Sequence, residues 1–126
     1  MGLTYTSVKW SNPRLPELEP LVINCLADTG ALMMSITETM NIQLKLEELE
    51  KRVVTIAHGT TRHVPFVGPI RIDFQNRFCY TGAFVLGNEA LLGGLPMEEM
   101  DLLVHPSLQK VLPNPNHQNV PQYIMY

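Results

Sequence analysis

Along most of the chain, apolar and polar residues alternate with a period of two or form short apolar runs. Residues 4–10 alternate and are followed by Asn12-Pro13, a pattern that predicts a first strand and a turn. Residues 21–27 form a nearly continuous apolar run of strand length, so we expect a strand buried on both faces. This run ends abruptly at Asp28-Thr29-Gly30.

The middle of the chain carries the pattern of a β-hairpin followed by more strands. Residues 53–57 are rich in β-branched side chains and end at His58-Gly59, which predicts a hairpin turn with residues 60–66 as the returning arm. Ile70, Ile72 and Phe74 alternate with polar residues and should share one face of a strand. Further strands are predicted at 78–86, 90–92 and 109–112.

Helical signals are few. Ser35 and Glu38 have the spacing of a capping box, which predicts a short helix over residues 35–40. A second helix is predicted within residues 95–103. The charged residues 45–52 indicate a helical turn or an exposed loop, and the tail from 113 to 126 should be loosely ordered.

Composition narrows the class of protein. A chain of 126 residues with 45% hydrophobic and 17% charged residues is typical of one globular domain. Ten prolines and eight glycines spread along the chain favour a β-rich fold. The net charge of −3 argues against nucleic acid as a partner. We find no signal peptide or membrane-spanning pattern, and therefore expect a cytoplasmic protein with no membrane partner.

The strongest chemical signal is Asp28-Thr29-Gly30-Ala31. An ionised carboxylate at the end of an apolar strand is costly to bury unless it is paired or solvated in a site. Gly30 permits a tight turn, and Thr29 offers a hydroxyl and a backbone donor that could hold it. The alternative is a plain turn, since most Asp-X-Gly triplets end strands without doing chemistry.

With a hairpin around His58-Gly59 and a later Leu91-Leu92-Gly93, this motif resembles the retropepsin-like aspartic proteases, the single-domain class that includes the retroviral proteases. The resemblance covers residues 21–112. Retroviral members usually carry acidic residues shortly after the first motif and an arginine after the later glycine. This chain has Leu32, Met33 and Gly94 there, so it is more similar to the cellular, bacterial-type branch.

The resemblance implies an all-β closed barrel with a flap hairpin and one short C-terminal helix, forming one domain over residues 1–126. It implies a homodimeric aspartic endopeptidase, because the chain has a single Asp-Thr-Gly and is too short for two lobes. It needs no metal or cofactor, and its substrate would be a peptide or protein. The implied catalytic residues are Asp28, Thr29 and Gly30, and the implied substrate-binding residues are Ala31, Ala57, His58, Gly59, Thr60, Thr61 and Leu92.

Other chemistries have less support in the sequence. His58 and His63 have no cysteine or acidic partner at the spacing of a zinc site. Ser35 and Ser107 have no evident base in the sequence, and Cys25 and Cys79 are expected to be buried and inert. One alternative from another class stays open: a peptide-binding or dimerisation module that keeps the fold but has little or no turnover.

Overall fold

The computed structural model describes residues 3–123, which contain nine strands and two α-helices. The helices are α1 (Glu38–Leu44) and α2 (Gly94–Glu99), and a 3₁₀ turn spans Ala57–Gly59. The strands are β1 (Thr4–Ser11), β2 (Leu21–Ala27), β3 (Met34–Ile36), β4 (Glu47–Thr55), β5 (Thr61–Phe74), β6 (Arg77–Val85), β7 (Leu91–Leu92), β8 (Leu102–His105) and β9 (Lys110–Pro113).

Six strands close into a barrel in the order β1-β2-β7-β3-β6-β5. Closure comes from β1, which pairs antiparallel with both β2 and β5, so that Trp10 lies opposite Leu21 on one side and Ile72 on the other. The β2–β7 and β3–β6 pairs are parallel. Strand β4 extends the sheet beyond β5 as the outer arm of the hairpin, and β8 and β9 form a separate two-stranded sheet. The expected all-β barrel is thus confirmed, with α1 as an additional helix.

The barrel encloses the hydrophobic core. Trp10, Met34, Ile72 and Leu92 are fully buried in it, and α1 covers one end through Leu44. Cys25 and Cys79 are both free thiols inside the barrel, as the sequence predicted. Within residues 3–123, no helix has the length and apolar character that a bilayer-spanning segment needs.

Helix α1 begins later than the sequence predicted. Its N-cap is Thr37, whose hydroxyl accepts a hydrogen bond from the Met40 amide at 3.2 Å. The proposed capping box at Ser35 is wrong, because Ser35 lies within β3 and pairs with neighbouring strands. At the other end, Asn12 donates from its side-chain amide to the Leu44 carbonyl at 2.9 Å and so satisfies a terminal acceptor.

Three further expectations need correction. Within residues 45–52, for which a helical turn or loop was predicted, residues 47–52 instead belong to strand β4, because pairing with β5 outweighs their charged composition and an edge strand leaves those charges in water. Strand β2 is not buried on both faces: Val22 is 67% exposed and Asn24 is also exposed. The helix predicted within 95–103 ends at Glu99, and Leu102 already belongs to β8.

A buried polar cluster attaches the described part of the tail to the barrel. The fully buried Arg77 guanidinium donates to the carbonyls of Met100 at 3.1 Å, Asp101 at 2.9 Å and His117. The Asp101 carboxylate is 2.6 Å from His117 Nδ1 and accepts from the Gln122 amide at 3.0 Å. A loosely ordered tail was predicted for residues 113–126. Residues 114–123 have no helix or strand but make these specific contacts, and residues 124–126 lie outside the described part of the chain.

Candidate active site

The parallel β2–β7 pair positions the Asp28 loop. The Leu26 amide donates to the Ala90 carbonyl and the Asp28 amide donates to the Leu92 carbonyl, both at 3.0 Å. This ladder fixes the backbone of Asp28 at the point where β2 ends. The sequence from 21 to 27 forms the strand because its apolar residues pair with β1 along their whole length.

Beyond β2 the chain turns tightly around the Asp28 carboxylate. The Gly30 amide donates to Asp28 Oδ1 at 2.8 Å, and the Ala31 amide donates to the Asp28 carbonyl at 3.3 Å. Asp28 is half-buried, whereas Thr29 and Gly30 are exposed. The turn therefore orients one carboxylate oxygen by a backbone amide and leaves the outer face of the loop open to solvent.

The β7–α2 connection crosses directly beneath this loop. A Cβ atom on Gly93 would lie 2.3 Å from the Met33 carbonyl oxygen and 2.6 Å from that of Leu32. Backbone hydrogen bonds tie the two segments together: the Gly94 amide donates to the Ala31 carbonyl at 2.6 Å, and the Leu95 amide donates to the Leu32 carbonyl at 3.0 Å. Glycine is needed at position 93 because two backbones cross there without room for a side chain.

Strand register places a row of four apolar side chains and one serine, called the apolar row below, on the face of the sheet opposite to the core. Paired residues point to the same side, and their chain neighbours in each strand point into the core. The row continues from β2 through β7, β3 and β6 to β5, and its members are partly or mostly buried. It consists of Leu26, Leu91, Ser35, Phe84 and Phe66. Because side chains alternate along the chain, Asp28 follows Leu26 on this side of the sheet.

The member of this row on β7 is Leu91 and not Leu92. Leu92 is one of the predicted substrate-binding residues, but its side chain is 0% exposed and belongs to the hydrophobic core. Sequence reasoning missed Leu91 and the other members of the row. The sequence alone could have placed Leu26 in the row, because it lies two residues before Asp28 in the same strand. The members on the other strands can be found only from the strand pairing register.

The β4–β5 hairpin forms the predicted flap. At its tip His58 and Gly59 both have positive φ, 70° and 78°, a conformation that glycine adopts without steric cost. The Ile56 amide donates to the Thr60 carbonyl at 2.8 Å and closes the turn. The predicted residues His58, Gly59, Thr60 and Thr61 are exposed, and the backbone of Ala57 begins the 3₁₀ turn.

The structure brings some of the predicted site residues together but not all. Residues 28–31 share one loop, while residues 57–61 lie on the separate flap hairpin. No hydrogen bond between described residues joins the flap tip to the Asp28 loop. Two surface grooves, of about 440 and 390 Å³, are lined by other parts of the chain and do not include Asp28.

The structure also bears on the other kinds of site considered from the sequence: a metal site, a cysteine nucleophile and a serine nucleophile. Among residues 3–123, no three His, Cys, Asp or Glu side chains cluster as a metal site requires. Burial raises the pKa of the Cys25 thiol to about 12, which makes it a poor nucleophile. Contrary to expectation, Ser107 has a base beside it, His105 Nδ1 at 3.2 Å. That nitrogen also lies 3.4 Å from the Leu108 amide, so the contact stabilises an exposed turn.

A six-stranded barrel, crossed loops after Asp28 and Leu92, and a flap hairpin together define a retropepsin-like fold. Comparison with solved structures supports this class. A retroviral protease-like domain of Ddi1 from Leishmania major has a TM-score of 0.60 at 8% identity, covering 91% of this chain and 90% of that one. A retropepsin-like aspartic protease from Rickettsia conorii has a TM-score of 0.59 at 15% identity, covering 83% and 78%.

A viral protein has the same fold. EIAV protease, in a complex with the inhibitor HBY-793, has a TM-score of 0.56 at 20% identity, covering 73% of this chain and 82% of that one. At these identities the similarity shows the fold alone. No protein-family model and no curated protein matches the sequence.

Proposed function

We propose that this chain is a homodimeric aspartic endopeptidase in which each of two copies contributes Asp28. The observation that carries the proposal is the position of Asp28 on a solvent-open face, with one carboxylate oxygen held 2.8 Å from the Gly30 amide. The Leishmania, Rickettsia and EIAV structures are named as proteases or protease-like domains and share the fold.

The chemistry requires two carboxylates. Peptide hydrolysis needs a base to activate water and an acid to protonate the substrate. Two adjacent carboxylates resist double ionisation and share one proton, as in aspartic proteases generally. The ionised Asp28 takes a proton from water, whose oxygen attacks the peptide carbonyl carbon, while the protonated Asp28 of the other copy gives its proton to the carbonyl oxygen. Proton transfer to nitrogen then releases the amine. No metal or cofactor takes part.

A second copy is needed because the sequence contains only one Asp-Thr-Gly. A two-fold axis brings equivalent positions together, so it can place Asp28 against itself. The surface around the loop suits such an interface. Leu32 is 66% exposed and Leu95 is 47% exposed, and a backbone hydrogen bond of 3.0 Å joins these two residues. Exposed leucines beside exposed Thr29 and Gly30 favour burial against another chain.

The cleft suits an extended peptide. A substrate lying between the apolar row and the flap would pair through its backbone and place alternate side chains against Leu26, Leu91 and Phe84. The exposed tip of the flap hairpin would fold over it and exclude water. Gly30 brings a backbone amide close to the reacting groups.

The decisive experiment measures cleavage of a peptide library at mildly acid pH by the wild type and by Asp28→Asn. We expect turnover only by the wild type, with both chains equally folded by circular dichroism. Mixing adds a test of shared catalysis: at equal amounts, random pairing leaves only about a quarter of the dimers with two intact Asp28 residues. Equal cleavage by both chains would refute the proposal.

A second experiment tests the interface. Leu32→Asp should shift the chain toward monomer in sedimentation and reduce turnover in parallel. Ile42→Asp is a matched control, because Ile42 is equally exposed at 66% but lies on α1. A wild type that dimerises and binds peptides but cleaves none would favour the peptide-binding module instead.

A further inference from the structure

The part of the flap hairpin between positions 51 and 72 carries a local excess of positive charge, whereas the four acidic residues of β4 and β5 lie at the base of the hairpin: Glu47, Glu48, Glu50 and Asp73. Four of the nine Lys and Arg residues lie between positions 51 and 72, whereas none of the twelve acidic residues does. They are Lys51, Arg52, Arg62 and Arg71. The whole chain has a net charge of −3, so this stretch is opposite in sign to the remainder of the molecule.

Register directs two of these cations to the cleft side of the hairpin. Arg52 pairs with Val64, and Arg62 pairs with Val54 two residue pairs further along, so both pairs point to the same face. Residues 62, 64 and 66 are two positions apart in β5, so their side chains point to the same face. Arg52 pairs with Val64, so both arginines share a face with Phe66, the last member of the apolar row. Lys51 points to the opposite face.

Arg52 is held in position at this edge. Its guanidinium lies 3.8 Å from the centroid of the Phe66 ring, and its Nε is 2.5 Å from Glu50 Oε1. The side chains of this pair are 41% and 53% exposed. An ion pair in such contact with water contributes little and exchanges readily, so a substrate carboxylate can compete with Glu50.

Arg62 lies closer to the tip and is exposed. Among the described residues it makes no salt bridge. The remaining arginine, Arg71, is different because it is bidentate with Asp73, with contacts of 3.0 and 3.1 Å. Arg62 and Arg52 are therefore the cations that a bound peptide would meet.

We propose that this site prefers peptides that carry Asp or Glu side chains near the scissile bond, and that Arg52 and Arg62 determine this preference. The inference rests on the proposed function for its cleft. A guanidinium can donate two parallel hydrogen bonds to a carboxylate, and Arg52 is already oriented by its contact with the Phe66 ring. A dimer would present both arginines twice, once on each flap.

The test compares matched peptides that differ only in Glu or Gln on either side of a central apolar pair. Binding is measured by fluorescence anisotropy on Asp28→Asn, so it does not depend on turnover. We expect the Glu peptides to bind about fivefold tighter at low salt, with the difference shrinking at high salt. Arg62→Gln should reduce the preference and Arg62→Glu should invert it.

Lys110→Gln is the control, because it removes the same charge from an exposed position on β9 and should leave the preference intact. Equal binding of Glu and Gln peptides, no binding of either, or an equal loss in Lys110→Gln would overturn the inference. Wild-type cleavage without a Glu preference would overturn it while leaving the proposed function standing. If the chain prefers Glu peptides in binding but the wild type cleaves no peptide, the proposed function fails and the charge preference stands.

Discussion

Gly93→Ala tests whether the crossing beneath the Asp28 loop is sterically tight. The backbone at Gly93 has φ −80° and ψ 174°, which alanine adopts easily, so any effect comes from the added methyl group alone. Its Cβ would lie 2.3 Å and 2.6 Å from two backbone carbonyl oxygens. Ordinary contact begins near 3.5 Å, so the loop would have to move by roughly 1 Å.

Overpacking costs about 1–3 kcal/mol, and the movement also weakens two hydrogen bonds, at Gly94 and Leu95, of about 1 kcal/mol each. We therefore expect a loss of about 3–5 kcal/mol, a large share of the roughly 5–15 kcal/mol typical of a domain. The melting temperature should fall by roughly 10–20 °C.

The measurement is thermal and urea unfolding of Gly93→Ala beside Gly94→Ala. A Cβ on Gly94 would make ordinary contacts of 3.4 and 3.5 Å, so this control should change stability by about 1 kcal/mol or less. If the two variants unfold alike, the reasoning about the crossing is wrong.

Other parts of the molecule give further predictions. Arg77→Met leaves three carbonyls without their donor and should lower the free energy of unfolding in urea by about 3–5 kcal/mol; an unchanged midpoint would contradict this. Hydrogen bonding, led by the Gln122 amide, lowers the pKa of Asp101. The ionised Asp101 therefore stabilises the folded state fully above roughly pH 4, and this contribution is lost as the pH falls through the lowered pKa of Asp101. At such acid pH the free energies of unfolding of the wild type and Asp101→Asn should converge. Burial raises the pKa values of Cys25 and Cys79 to about 12, so a thiol reagent should label them only after denaturation.

Local chemistry made much of the fold predictable. Alternation and short apolar runs identified the barrel strands other than β3, and His58-Gly59 identified the hairpin turn because positive φ at a tip favours a glycine there. The Asp28 turn was likewise visible, since an acidic residue followed by glycine after an apolar strand is a local signature.

What sequence reasoning missed depends on partners distant in the chain. Strand β4 contains Glu47 and Glu48, which disfavour a strand, and only pairing with β5 explains it. Leu92 was predicted as the substrate-binding residue instead of Leu91, because neighbouring residues in a strand point to opposite faces and only the pairing register shows which one points to the core. The Arg77 cluster joins residues more than twenty positions apart, and nothing in the spacing of the chain indicates it.

The proposed dimer and the proposed specificity use different physics. Beside Asp28, the exposed leucines Leu32 and Leu95 offer apolar surface to a second chain. On the flap, the side chains proposed to set specificity are the cations Arg52 and Arg62, which share the face of Phe66. Salt does not screen the burial of apolar surface, whereas exposed ion pairs are screened within about 10 Å at 0.1 M salt. Raising the salt concentration should therefore separate the two proposals, because it weakens the choice of substrate while leaving the assembly of the site in place.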